Sequence, residues 1–175
     1  MFEIQPMNAE TYRRQTRRST VIIALIFLAL AMVLSTAAVA LFGEPGGDNL
    51  RFNVGGVFAA LLLMAALMRG TFWTQEWMAP AVYGWQLKRS LMSITNVMHQ
   101  VTAAVEKGDP SAMKLLRFYH LGLSQMHQLD GNSSDHSQLA REMDQHKARM
   151  EALGIETEQT QLNPAWLEAV KQTQV

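Results

Sequence analysis

Ser19 to Phe42 reads STVIIALIFLALAMVLSTAAVALF, twenty-four residues without a charged side chain. At 1.5 Å per residue this is roughly 36 Å of helix, enough to cross a bilayer whose hydrocarbon core is about 30 Å thick. After GEPGGDNLR comes FNVGGVFAALLLMAALM, Phe52 to Met68, again uncharged and roughly 26 Å long as a helix. Arg51 and Arg69 bracket this second stretch, and their long stems can snorkel to the headgroups. The alternative, a buried hairpin of a soluble protein, is disfavoured by the joint length and the missing charges. The sequence therefore predicts two membrane spans, about 19–42 and 52–68, joined by a short loop, 43–51.

Working outward, the positive charges set an orientation. Arg13, Arg14, Arg17 and Arg18 precede the first span, and Arg69, Lys88 and Arg89 follow the second. The loop has only Arg51 against Glu44 and Asp48. The bias toward lysine and arginine on the cytoplasmic side places both ends of the chain there, and the loop in the periplasm. Ala38-Val39-Ala40 resembles a signal-peptidase site, but the apolar run continues through it to Phe42. The arginine pairs resemble a twin-arginine signal, yet Arg17 and Thr20 stand where an apolar residue is expected. Residues 1–18 read as a basic cytoplasmic arm.

Composition agrees with an integral membrane protein. The chain is 49% hydrophobic and 17% charged, with lysine plus arginine equal to aspartate plus glutamate at 15 each. No net field attracts nucleic acid. The absence of cysteine removes disulfides, thiolate catalysis and cysteine-type zinc sites. Within the spans, Gly55 with Ala59, Gly56 with Ala60, Ala31 with Ser35 and Thr36 with Ala40 are small residues at helical spacing. Such faces let backbones approach closely, either between the two spans or between subunits. Neither span has an ionisable residue at its centre, which disfavours a transporter working as a monomer.

Past the second span, TFWTQEWMAPAVYGW collects Trp73, Trp77, Tyr83 and Trp85, an aromatic collar suited to the membrane interface. Trp73 and Trp77, four apart, would share one helical face. From Ala81 to Lys107 the residues Leu87, Leu91, Ile94, Met98, Val101 and Val105 predict one helix with a buried seam. Asp109-Pro110 opens the next, which runs to about Asp130 with Gly131 as its C-cap and, being apolar over a wide arc, reads as the central helix. A third, capped by Asn132-Ser133-Ser134, has Leu139, Met143, Met150 and Leu153 on its seam. Residues 156–161 read as a linker, and Asn163-Pro164 starts a short last helix, AWLEAVKQ. The expected fold is all-α: a two-span transmembrane hairpin (19–72), an interfacial collar and cytoplasmic three-helix antiparallel bundle (73–155), and a linker with a short C-terminal helix (156–175). No strand-period segment and no glycine-rich phosphate loop is visible.

GDPSAMKLLRFYHLGLSQMHQLDGN, with REMDQHKARMEALGI and the arginine-flanked double span, resembles a bacterial membrane-protein family known only as a domain of unknown function, DUF3087. The resemblance covers most of the chain from the first span to about Ile155. It implies an integral membrane protein and carries no functional residue with it.

The histidines are the candidate chemistry. Folding the chain about Gly108-Asp109 and about Asn132 puts His120 roughly opposite Val97 and Asp144. His99 and His146 are each two residues from those positions, about 3 Å along a helix axis. His99, His120 and His146 can thus share one layer, and His127 and His136 another. Three imidazoles with an open fourth position are a known zinc arrangement. Their facing is less favourable, because His120 and His127 sit one position off the Leu116-Tyr119-Leu123-Met126 line and His99 borders its seam. Boundary positions of this kind suit histidines that pack their rings and bond a carbonyl or water. No paired ligand spacing and no nucleophile-and-base set is visible, so neither a cofactor nor an enzyme activity is expected. The sequence reads as a membrane-anchored interaction or scaffold protein of the bacterial inner membrane, with the lipid bilayer, a second copy and a further protein as partners. The alternative is a ligand- or metal-dependent sensor or oligomeric channel subunit using the histidine layer.

Overall fold

The computed structural model describes residues 2–131 and 136–172, without the side chains of His136 and Ser137. The expected cap at Asn132-Ser133-Ser134 lies outside the described residues. The fold is mostly helical, with seven α-helices among the described residues. In chain order these are α1 (Ala9–Phe42), α2 (Leu50–Gly70), α3 (Ala79–Thr95), α4 (Met98–Glu106), α5 (Pro110–Asp130), α6 (His136–Ala152) and α7 (Pro164–Gln172). Two short strands, β1 (Phe2–Glu3) and β2 (Gln161–Leu162), pair antiparallel, Phe2 against Leu162. Two compact units result: Arg14–Val82, and a second made of the residues up to Arg13 with those from Tyr83 onward. Helix α1 begins at Ala9, within the basic segment 1–18, and residues 2–13 belong to the second unit.

In the first unit α1 and α2 form a hairpin. Two helices are long and apolar enough to cross a membrane. None of the most apolar window of α1 is buried, and only 17% of that of α2. Leu25, Leu28, Met32, Val54, Phe58 and Leu62 are each more than half exposed. The buried seam of α2 is Gly56, Ala60 and Met64. A Cβ added at Gly56 would lie 2.6 Å from Ser35 N and 2.8 Å from Leu34 C, so the hydrogen of glycine is what lets the backbones meet. Ala60 and Met64 continue that face one and two turns on, both buried. Ser35 Oγ donates to Asn53 O at 2.9 Å, and Ser19 Oγ, almost fully buried, donates to Trp77 O at 2.6 Å. Asn49 closes the turn: its Oδ1 accepts from Glu44 N and its Nδ2 donates to Glu44 O, both at 3.1 Å.

The second unit is built around α5. Asp109 Oδ1 accepts from Ala112 N at 2.7 Å, Pro110 fills the first turn, and Gly131 ends the helix in the left-handed conformation at φ 72°. Helices α4, α6 and α7 all pack on α5. The core comprises Ile94, Val101, Val105, Met113, Leu115, Phe118, Met150 and Val170. On another side Gly122 lets α3 approach, since a Cβ there would lie 2.9 Å from Leu91 Cδ2.

Three details depart from the sequence reading. The single helix expected over 81–107 is two helices broken at Asn96-Val97, where Val97 leaves the helical region at φ −121°, ψ 17°. Ser93 and Thr95 bond back to Ser90 O and Leu91 O, the competition with the backbone ladder that weakens helices rich in such residues. Residues 156–161 are not a free linker: Gln159 is buried, and Thr157 O accepts a bond from Arg117 Nε at 3.0 Å. The N-terminal residues hold this segment through the β1–β2 pair and through Ile4 N, which donates to Thr160 O at 2.8 Å.

Candidate functional site

Helix α5 presents His120 and α6 presents His146 toward each other. Both are buried, and their ring centroids are 5.5 Å apart, edge to face at 84°. His146 Nε2 lies 2.9 Å from Met113 O. A carbonyl only accepts, so this nitrogen bears the proton and Nδ1 keeps the lone pair. His120 is 94% buried, the remainder of its 6% exposure, and its Nδ1 has no hydrogen-bond partner. Burial, then the neighbouring His146, lowers the His120 pKa from 6.5 to about 4. Burial lowers His146 as well, opposed by its bond to Met113. Both rings are neutral near pH 7.

The pair borders a cleft of about 540 Å³ between α4, α5 and α6. Met98, Thr102 and Leu116 form one side, while Tyr119, Glu142, Gln145 and Arg149 supply polar groups. Glu142 Oε1 accepts from Gln138 Nε2 at 2.9 Å, and Arg149 Nη2 donates to Glu106 O at 3.1 Å, at the end of α4.

The expected layer of His99, His120 and His146 is thus only partly assembled. His99 is exposed and does not line the cleft; its neighbour Met98 does. The turn-folding estimate fixes a height along the helix axis but not the direction of a side chain, and the break at Asn96-Val97 resets that direction for α4. His127 is half-buried, and the side chain of His136 lies outside the described residues. Among the described residues, no three histidine or acidic side chains stand together as a ready metal set.

The remaining candidates fall in both units. Gly56 and Ala60 are buried in the hairpin seam, whereas Gly55 has open space around it and Ala59 is exposed. Arg13, Arg14, Arg17 and Arg18 are all exposed on α1, and Arg13 Nη1 donates to Gln128 O at 3.3 Å, at the C-terminal end of α5. Trp73 and Trp77 do not share an α-helical face. They lie in two 3-10 turns, Phe72–Thr74 and Glu76–Met78, separated by extended Gln75, and Trp77 packs edge-on against Phe72 at 5.5 Å. Trp85 is half exposed, with the Arg89 guanidinium 5.0 Å from its ring.

Sequence reasoning missed Arg117. It is 91% buried, at 9% exposure, and its Nε and Nη1 bond Thr157 O and Met143 O at 3.0 and 3.3 Å. A guanidinium that ties α5 to α6 and to the 156–161 segment was signalled only by its place among Leu115, Leu116, Phe118 and Tyr119.

A family model described as Protein of unknown function (DUF3087) matches residues 2–167. The chain belongs to that family. No curated protein and no solved structure matches it.

Proposed function

We propose that this member of a family without an assigned activity is a two-span protein of the bacterial inner membrane. Its helical domain lies on the cytoplasmic side and works through protein contacts rather than catalysis. The observation that carries the reading is the exposed apolar sleeve on α1 and α2, where Leu25, Leu28, Met32, Phe58 and Leu62 face outward. In water such a surface would aggregate, and in lipid it is the expected one. The β1–β2 pair adds support that does not use charge: Phe2 meets Leu162, so both flanks of the hairpin must lie on one side of a bilayer, which two crossings provide. The arginines in the first turns of α1, ahead of its apolar run, and Arg69 at the end of α2 with Lys88 and Arg89 beyond it favour the cytoplasm as that side.

A fluorescent reporter that folds only in the cytoplasm, and a phosphatase active only in the periplasm, fused in turn after Val175, test this reading. Fluorescence with a silent phosphatase, and a chain that resists alkaline extraction from membranes, is the expected result. An active phosphatase would reverse the orientation, and release at alkaline pH would remove the anchor. A second reading, a ligand-responsive sensor, is favoured by the cleft beside His120 and His146.

A further inference from the structure

We propose that His120 and His146, joined by Glu142, bind a divalent transition-metal ion of the zinc class in the cleft between α5 and α6. This rests on the sensor reading for its biological use but not on the membrane topology, which can fail or hold independently.

The two rings already stand at a suitable separation. With zinc–nitrogen bonds of about 2.0–2.1 Å, imidazoles sharing one tetrahedral ion have centroids roughly 5 Å apart; here the distance is 5.5 Å. His146 has the outer support typical of a metal ligand, its Nε2–H donating to Met113 O at 2.9 Å and leaving the Nδ1 lone pair to coordinate. His120 brings the second observation, a 94% buried ring (6% exposed) whose Nδ1 has no partner within the protein. A buried nitrogen without a partner is costly unless something fills the place.

The third donor is the feature not yet in position. Glu142 is one helical turn before His146, the (i, i+4) relation that puts two side chains on one face of a helix. Its carboxylate is at present bonded to Gln138 Nε2 at 2.9 Å on the exposed side of α6. On binding, Glu142 would exchange that surface bond for the metal by turning its side chain toward the two rings, and water would complete a four-coordinate shell. Arg117 and Arg149 lie near enough to oppose a cation, and the Glu142 charge offsets them; both guanidinium groups are turned onto backbone carbonyls, of Thr157 and Met143 and of Glu106. Two nitrogens and a carboxylate suit zinc or cobalt better than calcium or magnesium, which prefer all-oxygen shells.

The test uses the full-length protein in detergent, purified without a polyhistidine tag, stripped with a chelator and titrated with Co²⁺ alone. One equivalent should produce the visible bands of tetrahedral cobalt, and Zn²⁺ should abolish them. His146→Gln and Glu142→Gln should each weaken binding at least about tenfold, with His99→Gln unchanged. X-ray absorption of the zinc-loaded protein should show two imidazoles. Glu142 is exposed, so its variant tests the site without altering the packing around the buried His120. No saturable cobalt spectrum, equal affinity in the His146 and Glu142 variants, or a zinc shell without imidazole would each overturn the proposal.

Discussion

The hairpin of α1 and α2 and the domain around α5 are both helical, yet they keep their shape by opposite means. The hairpin turns most of its large apolar side chains outward, so its contacts are backbone against backbone at Gly56, the buried Ala60 and Met64, and the bond of Ser35 to Asn53 O. The α5 domain does the reverse, enclosing Phe118, Met113, Leu115 and Met150 completely. In the membrane-spanning reading proposed above, lipid is as apolar as leucine, and the hydrophobic effect that condenses the domain would do nothing to bring α1 and α2 together. The same side-chain chemistry therefore has to be assigned different work in the two regions.

Substitutions that exchange these roles should separate the regions. Phe118→Ala should cost the domain about 4 kcal/mol, the usual result of emptying a core ring site, measured by thermal unfolding followed through aromatic circular dichroism. Membrane insertion of the same variant should be unchanged. If insertion failed too, the regions would not be energetically separate.

Acid should act on the domain next most strongly. The His120 pKa falls from 6.5 to about 4 on folding, so the unfolded chain binds a proton that the folded chain refuses. Stability is therefore complete above about pH 6.5 and declines as pH falls toward 4, by about 3 kcal/mol at that end. Urea unfolding in detergent across this range should show the loss, with His120→Gln flattening it. A profile that stays level in the native protein would contradict the burial of that ring.

In the hairpin, Gly56→Ile should force the two helices apart at Ser35 and cost about 2 kcal/mol, as overpacking does. Gly55→Ile, one position away in open space, should leave the contact intact. Cysteine cross-linking between the spans measures both. Equal loss in the two variants would mean that the seam is not where Gly56 meets Ser35. The smallest effect belongs to Ser35→Ala: removing its bond to Asn53 should cost about 0.6 kcal/mol, the ordinary value of a hydrogen bond between spans.

How far these features could be read from sequence follows the same division. The two long apolar helices were legible because a long uncharged run, which Ser19 to Phe42 supplies outright, marks them without any partner. The limits of α5 were legible because Asp109-Pro110 and Gly131 act within one turn of themselves. Contacts that depend on direction were not. His120 and His146 meet while His99 is exposed and does not line their cleft, although simple turn-folding put all three at one height. The β1–β2 pair escaped notice because two residues per strand are too few to show alternation, and their partners are separated by nearly the whole chain. Arg117 escaped because nothing in a local pattern distinguishes a buried guanidinium from a solvated one.

The pairing of Phe2 with Leu162 also orders events during synthesis. The first strand leaves the ribosome before either span, and its partner emerges only after both have been made. At about 5–20 residues per second, the interval is on the order of ten seconds or more. During that time the N-terminal strand has no partner to pair with. Closure of the domain over it therefore waits until α1 and α2 have both been made, so a chain that ends before Gln161 cannot form this strand pair.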